Sequence, residues 1–238
     1  MFKYILSILI LTGFNMSFAQ EKIRPKENWV MRSVLDKRAR TITVFLNKDI
    51  QIAYDGNNCG VYKIWKDGVI NKGTIWNNQH GPQPISNGKE FTYGIVDEQV
   101  WFLQKLGVYV PAKVQFRGYI WKNNKVTFKY EISPEDKSYS IFVEETPEYV
   151  IRPSDNFIGI ERTFKVTGLP AGQNIVTTLK YNNLAKKEDL ITNGNFTISS
   201  KTENFDSKGN TIDIKGNLLL KNEQAATVSC FFNPKIAQ

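Results

Sequence analysis

Short runs of β-branched and aromatic residues, separated by turn-forming residues, recur along most of the 238-residue chain. In the clearest run, residues 125–132, polar side chains alternate with the apolar residues Val126, Phe128, Tyr130 and Ile132. Alternation with a period of two predicts a strand with one buried face and one solvated face. The run at 114–121 precedes it across Asn123-Asn124, so the two segments predict a β-hairpin.

The same pattern predicts strands in the rest of the chain. They cover residues 41–46, 50–54, 60–65, 73–77, 90–95, 100–104, 138–144, 158–166, 174–179, 195–199, 211–220 and 226–232. About thirteen or fourteen strands at intervals of roughly 10 to 15 residues are typical of antiparallel all-β folds. We therefore expect an antiparallel β-sandwich of the jelly-roll or supersandwich kind. Very little helix is predicted, and the best helical segment is the polar stretch 183–190.

Residues 1–19 have the pattern of a secretory signal peptide. Lys3 precedes an apolar run at 4–11, and small residues near Ala19 indicate cleavage after it. The apolar run is shorter than the roughly 20 residues that a membrane span requires. We therefore expect an exported protein, periplasmic or extracellular, that does not span a membrane.

The remaining residues, 20–238, suit a single β-sandwich domain, and a division near 147–156 stays open. The full chain carries a formal net charge of +8, and its basic residues are scattered. Their densest cluster, 32–40, is typical of a solvated face. Export argues against a nucleic-acid partner. An acidic glycan or a phosphate-rich envelope surface stays open as a partner of this basic protein.

Two cysteines, Cys59 and Cys230, are present in the chain. In an oxidising compartment they could form a disulfide that closes a long loop. Two buried free thiols in separate strands are an equally compatible interpretation, because sequence does not give the distance between them.

The stretch 54–84 concentrates the residues that could carry chemistry, including the single histidine, His80. One histidine cannot build a His-rich metal site, and the 21 residues between Cys59 and His80 match no standard ligand spacing. No metal or cofactor is therefore expected. A Cys59–His80 nucleophile pair would need an exposed thiol beside a base, so no catalytic residue is assigned.

Aromatic and amide side chains in this stretch suit a carbohydrate, because rings stack on pyranose faces while amides bind hydroxyl groups. The alternative is that the rings belong to the core, as many do in large β-sandwiches. The predicted ligand-binding residues are Tyr62, Trp65, Trp76, Asn77, Asn78, Gln79 and His80.

Several short motifs occur in a fixed order along the chain. They are Trp-Val-Met-Arg at 29–32, Ser-Val-Leu-Asp at 33–36, Tyr-Lys-Ile-Trp-Lys-Asp-Gly-Val at 62–69, His-Gly-Pro-Gln-Pro at 80–84, Phe-Arg-Gly-Tyr at 116–119, Val-Thr-Phe-Lys-Tyr at 126–130, Glu-Arg-Thr-Phe at 161–164 and Gly-Leu-Pro-Ala-Gly at 168–172. Over residues 29–179 the chain resembles a β-rich segment of large exported bacterial proteins that often carry a c-type cytochrome or sugar-dehydrogenase-like domain. The resemblance implies export, a β fold and an accessory role without catalytic residues. The chain lacks the Cys-x-x-Cys-His motif that attaches a c-type haem.

These features favour an exported binding or accessory module for carbohydrate or another cell-envelope polymer. One alternative is a glycoside-cleaving or sugar-modifying enzyme on a β-sandwich, using Glu144 or Glu161 with His80. Glu144 and Glu145 are neighbours in a predicted strand segment, so at most one of them faces a given cleft. The other alternative is a structural module that binds a protein partner in an envelope assembly.

Overall fold

The structure is a computed structural model that describes residues 22–23, 28–48, 50–76, 81–93, 98–154, 156–179, 196–200 and 217–232. The predicted signal peptide, the helical segment 183–190 and the site residues Asn77, Asn78, Gln79 and His80 lie outside these residues. The described part is all-β and antiparallel, as the alternating pattern predicts. The described part contains no helix that is long and apolar enough to cross a membrane.

Eighteen strands occur in the described residues. They are β1 (Lys22–Ile23), β2 (Trp29–Leu35), β3 (Arg38–Asn47), β4 (Ile50–Asp55), β5 (Gly60–Trp65), β6 (Val69–Ile70), β7 (Ile85–Ser86), β8 (Glu90–Tyr93), β9 (Trp101–Lys105), β10 (Val108–Pro111), β11 (Lys113–Lys122), β12 (Lys125–Ser133), β13 (Ile141–Ile151), β14 (Ile158–Thr167), β15 (Gln173–Thr178), β16 (Phe196–Ser200), β17 (Asn217–Leu220) and β18 (Ala225–Phe232).

The strands form four antiparallel sheets. A five-stranded sheet has the order β2-β3-β4-β5-β8, and a six-stranded sheet has the order β11-β12-β13-β14-β18-β16. A four-stranded sheet, β10-β9-β15-β17, and a small sheet, β1-β6-β7, complete the described part. Strands β2 and β11 are therefore edge strands of the two largest sheets.

The main core lies on the inner face of the six-stranded sheet. The Tyr54 ring from the five-stranded sheet contacts Phe128 with a centroid distance of 4.6 Å. Trp101 from the four-stranded sheet contacts Tyr130 at 5.7 Å and Phe164 at 6.4 Å. The five-stranded and four-stranded sheets thus pack against the same face of the six-stranded sheet, which defines the sandwich.

The five-stranded sheet also has an apolar second face. Met31, Leu35, Phe45 and Trp65 form a separate buried cluster there with Val69 of the small sheet. This explains why β3, β4 and β5 are almost continuously buried rather than alternating.

The β11–β12 hairpin confirms the clearest sequence prediction. Asn123 and Asn124 have φ values of 51° and 57°, as a tight hairpin turn requires. The predicted strand at 73–77 is wrong, because residues 73–76 form a loop and the strand in this region is β6. The segment 147–156, considered as a division, includes the end of β13, which pairs with β14 in one sheet through Ile151.

Strand β11 changes register at Gly118. Phe116 pairs with Tyr130, whereas Tyr119 pairs with Phe128, so the strand contains one extra residue between these pairs. Gly118 has a φ of +119°, which residues with a side chain rarely adopt. The bulge lets Phe116 and Tyr119 lie on the same, inner side of the sheet although their numbers differ by three.

Candidate ligand-binding cleft

The predicted aromatic residues occupy different environments. Trp65 is fully buried, and its indole N–H donates a hydrogen bond to the Gly68 carbonyl at 2.7 Å. It is a core residue that cannot stack on a sugar, so this part of the predicted site is corrected. Trp76 is 57% exposed, but the amides and the histidine that follow it are outside the described residues.

Tyr62 is half-buried and takes part in a closed polar cluster. Its hydroxyl lies 3.4 Å from Asp36 Oδ2, and the Arg38 guanidinium lies 5.6 Å from its ring centroid. Burial, followed by the negative charge of Asp36, raises the pKa of Tyr62 to about 12. Asp36 also accepts hydrogen bonds from the Ser86 backbone N–H at 2.7 Å and from Lys63 Nζ at 3.2 Å. Tyr62 thus helps to fix the β2–β3 turn.

A second polar cluster is sealed inside the sandwich. Glu145 Oε1 accepts hydrogen bonds from the Tyr54 hydroxyl at 2.7 Å and from Arg162 Nε at 2.6 Å. Glu145 Oε2 accepts one from the Tyr130 hydroxyl at 3.0 Å. Burial and the Glu145 charge raise the pKa of Tyr130 well above its usual value. We call these four residues the buried cluster.

Both cysteines are buried and free. Burial first, and then the charges of Glu145 and Asp55, raise the pKa of the Cys59 thiol strongly. Burial also raises the pKa of Cys230. A nucleophilic thiolate needs the opposite environment, so Cys59 is not suited to the Cys59–His80 pair considered from the sequence.

The two largest sheets leave an open cleft where their edges meet. One part, of about 600 Å³, lies between the β4–β5 turn and β11, and a second part of about 290 Å³ lies between β2, β3 and β11. Asn57, Val114 and Gln115 line both parts, so the two adjoin each other. We call them together the edge cleft.

Polar side chains dominate the larger part of the edge cleft. The amide-bearing residues are Asn57, Asn58, Gln99 and Gln115, and the basic residues are Lys113, Arg117 and Lys137. Glu131 and Glu135 are also in the lining. Amides can both donate and accept hydrogen bonds, which suits a ligand rich in hydroxyl groups.

The carboxylates of this part already have partners. Glu131 accepts hydrogen bonds from Ser140 Oγ and Arg117 Nε, each at 2.6 Å, and these bonds lower its pKa. Glu135 lies 2.6 Å from Lys113 Nζ. Glu131 is therefore ionised at neutral pH and acts as an acceptor, which does not favour the role of a proton donor.

Two half-exposed rings lie further along β11, beyond the residues that line the cleft. Tyr119 and Trp121 are each 43% exposed, and they pair with Phe128 and Val126, which are buried in the core. Directly paired residues lie on one side of a sheet, so both rings lie on its inner side. Beyond them, Asn28 Nδ2 donates a hydrogen bond to the Asn124 carbonyl at 2.6 Å, which joins the start of β2 to the hairpin turn.

A separate depression of about 560 Å³ lies on the outer face of the six-stranded sheet. Glu144 lies 3.8 Å from Lys129 there, and Arg117 pairs with Glu131. Glu161 accepts a hydrogen bond from Ser229 Oγ at 3.1 Å. Neither Glu144 nor Glu161 lines the edge cleft, and His80 is outside the described residues. In the described part of the chain, no group of three or more His, Cys, Asp or Glu residues could hold a metal ion.

The edge cleft was missed from the sequence because its parts are far apart in the chain. One signal was available: the apolar positions of β11 change parity between Phe116 and Tyr119, with Gly118 between them. Such a change is typical of a bulge, and it predicts that Tyr119 and Trp121 share a face.

No model of a known protein family matches the chain, and no significant match occurs among curated proteins.

Proposed function

We propose that the protein is an exported carbohydrate-binding module whose ligand lies along the edge cleft. The observation that carries the proposal is the pair of half-exposed rings, Tyr119 and Trp121, on one side of an edge strand that also lines a polar cleft. Rings of this kind cover the apolar faces of sugars, while the polar lining binds hydroxyl groups.

The site is built on rigid elements, which supports a binding role. Tyr119 packs against Phe128 with a ring centroid distance of 6.5 Å, and Gly118 sets the face on which both rings lie. Gln99 Nε2 donates to the Ala112 carbonyl at 2.7 Å, which fixes one wall of the cleft. A ligand would therefore meet a preorganised surface and lose less entropy on binding.

Export and the accessory role remain part of this proposal. They rest on the signal-peptide pattern at 1–19 and on the resemblance to segments of exported bacterial proteins. A basic protein of this kind suits a glycan or another polymer of the cell envelope.

Isothermal titration calorimetry of the chain with neutral and acidic oligosaccharides tests the proposal. We expect saturable binding that weakens about tenfold or more with either Tyr119→Ala or Trp121→Ala, because each removes a stacking ring. Trp76→Ala is the matched control, since it removes an exposed ring that is not on β11.

Circular dichroism and thermal unfolding of each variant separate lost binding from lost folding. Binding that survives both substitutions on β11 but disappears in Trp76→Ala would move the site to the segment predicted from the sequence. If no oligosaccharide binds the wild-type chain, the proposal is wrong.

A further inference from the structure

The smaller part of the edge cleft is lined by two arginines and no carboxylate. Arg32 on β2 and Arg40 on β3 are there, together with Asn57 and Gln115. Arg40 Nη1 donates to Asn57 Oδ1 at 3.3 Å. Neither arginine has a carboxylate partner among the described residues. Their charges are thus available to a ligand.

The other described arginines use their guanidinium groups within the fold. Arg38 donates to Asp55 at 3.0 Å, Arg117 to Glu131 at 2.6 Å and Arg162 to Glu145 at 2.6 Å. The Arg152 guanidinium lies 4.9 Å from the Phe157 ring centroid and 5.0 Å from that of Phe231. Arg32 and Arg40 differ from all four in lacking a carboxylate or an aromatic partner in the described part.

The backbone holds Arg40 at this position with strain. Its φ is 59°, an uncommon value for a residue other than glycine. Its carbonyl accepts a hydrogen bond from the Gly56 N–H at 2.9 Å, and a Cβ at Gly56 would lie only 2.7 Å from that carbonyl oxygen. The β4–β5 turn thus fixes the backbone of β3 at Arg40, where the register of β2 and β3 shifts between the pairs Ser33–Thr41 and Leu35–Arg38. Strain of this kind is concentrated at functional sites.

The uncharged lining of this part also fits a sugar. Phe116, which is partly exposed, provides apolar surface beside the amides of Asn57 and Gln115. An anionic group on a pyranose ring would meet the guanidinium groups while the ring lies against apolar atoms.

From this arrangement we infer that Arg32 and Arg40 form an anion-binding subsite that recognises the carboxylate or sulfate of an acidic saccharide. The inference rests on the proposed carbohydrate binding and names its ligand class. Arginine binds both groups through paired N–H donors, so the shared chemistry is an anionic oxygen group on a sugar.

The test compares three probes in calorimetric titrations of the full chain: a galacturonate oligosaccharide, a sulfated galactose oligosaccharide and the neutral galactose oligosaccharide. We expect Arg32→Gln/Arg40→Gln to weaken binding of at least one acidic probe by about tenfold to a hundredfold. Binding of the neutral probe should change less than about twofold, because its stacking contacts remain. The acidic probe that loses more affinity identifies the preferred anion.

Lys37→Gln/Lys105→Gln is the matched control. It removes the same number of charges from exposed positions that do not line the cleft. A general attraction between a basic protein and an anion would weaken equally in both double variants and would overturn the inference. Arg32 could instead serve only to protect the β2 edge from aggregation. A double variant that aggregates but keeps wild-type affinity for the acidic probes would show this and would also overturn the inference.

A direct readout distinguishes this inference from the proposed function. Galacturonate monosaccharide and sodium sulfate are titrated separately while the Nε–H signals of Arg32 and Arg40 are followed by NMR. Saturable shifts of both arginine signals support the anion subsite. If Tyr119→Ala and Trp121→Ala then leave oligosaccharide affinity unchanged, the stacking site is rejected while the anion subsite stands. If acidic oligosaccharides bind through Tyr119 and Trp121 but the arginine signals do not shift, the anion subsite is rejected and the stacking site stands.

Discussion

The buried cluster and the edge cleft contain the same kinds of side chain but differ in how these are used. In the buried cluster, Glu145 accepts hydrogen bonds from Arg162 and two tyrosine hydroxyls, so its charge is compensated within the fold. In the edge cleft, Arg32 and Arg40 have no carboxylate partner in the described part, and further along β11 Tyr119 and Trp121 are half-exposed. Available partners, rather than residue type, therefore separate a structural cluster from a binding site.

The largest effect should come from breaking the buried cluster. Glu145→Ala leaves the Arg162 charge and two hydroxyls without their acceptor, and we expect a loss of about 3–5 kcal/mol in the free energy of unfolding. Urea denaturation with a shared m-value measures it. Glu144→Ala, one residue away on the outer face, should cost less than about 0.5 kcal/mol. Equal losses for the two variants would contradict the distinction.

Burial should separate two tryptophans in the same way. Trp65→Ala removes a fully buried ring and its hydrogen bond to Gly68, so we expect a loss of about 3–5 kcal/mol. Trp76→Ala removes a ring that is 57% exposed and should change stability by less than about 0.5 kcal/mol. Thermal unfolding compares them. A stable, well-folded Trp65→Ala variant would show that the second core cluster contributes little.

The bulge in β11 should link stability to the cleft. Gly118→Ala meets no atom within 4 Å, so its cost comes from the backbone φ of +119° alone. We expect a loss of about 1–3 kcal/mol in the free energy of unfolding and weaker saccharide binding, because Tyr119 and Trp121 would be displaced. Gly107→Ala, also at positive φ with open space around it, is the matched control for stability. Similar destabilisation with unchanged binding in both variants would show that the bulge does not orient the rings.

The smallest effect should be the contribution of Tyr62 to the pH dependence of stability. Tyr62 is half-buried, between the sealed residues of the buried cluster and the open residues of the edge cleft. An unfolded tyrosine titrates near pH ~10, whereas burial and Asp36 raise the Tyr62 pKa to about 12. The stabilisation is thus fully present below pH ~10 and is lost as pH rises towards 12, because the unfolded chain releases its proton first. Tyr62→Phe should slightly flatten the fall in stability over this window, and urea denaturation at increasing pH measures it. Tyr119→Phe is the control, and a steeper fall in Tyr62→Phe would contradict the assignment.

Local sequence patterns were sufficient for much of the fold. Alternation along β12 and the Asn123-Asn124 turn predict the hairpin, because side-chain period and turn conformation depend on neighbouring residues. The strand predicted at 73–77 is wrong. Its apolar residue Ile75 packs against the second core cluster from a loop, and a short apolar run does not distinguish a loop from a strand. The candidate site was harder to predict from the sequence. Tyr62 and Trp65 have side chains suited to binding a sugar, but Trp65 is buried because the small sheet packs over it.

The all-β class, the antiparallel hairpins and the opposite faces of Glu144 and Glu145 can be predicted from the sequence, since these follow from local geometry. Which polar residues are buried and which are open depends instead on the tertiary structure. It brings Arg32, Arg40, Asn57 and Gln115 together from three segments of the chain. It also closes Glu145 against Arg162, which lies on a neighbouring strand. Burial and partnership are properties of sheet packing, and a one-dimensional pattern does not contain the distances that set them.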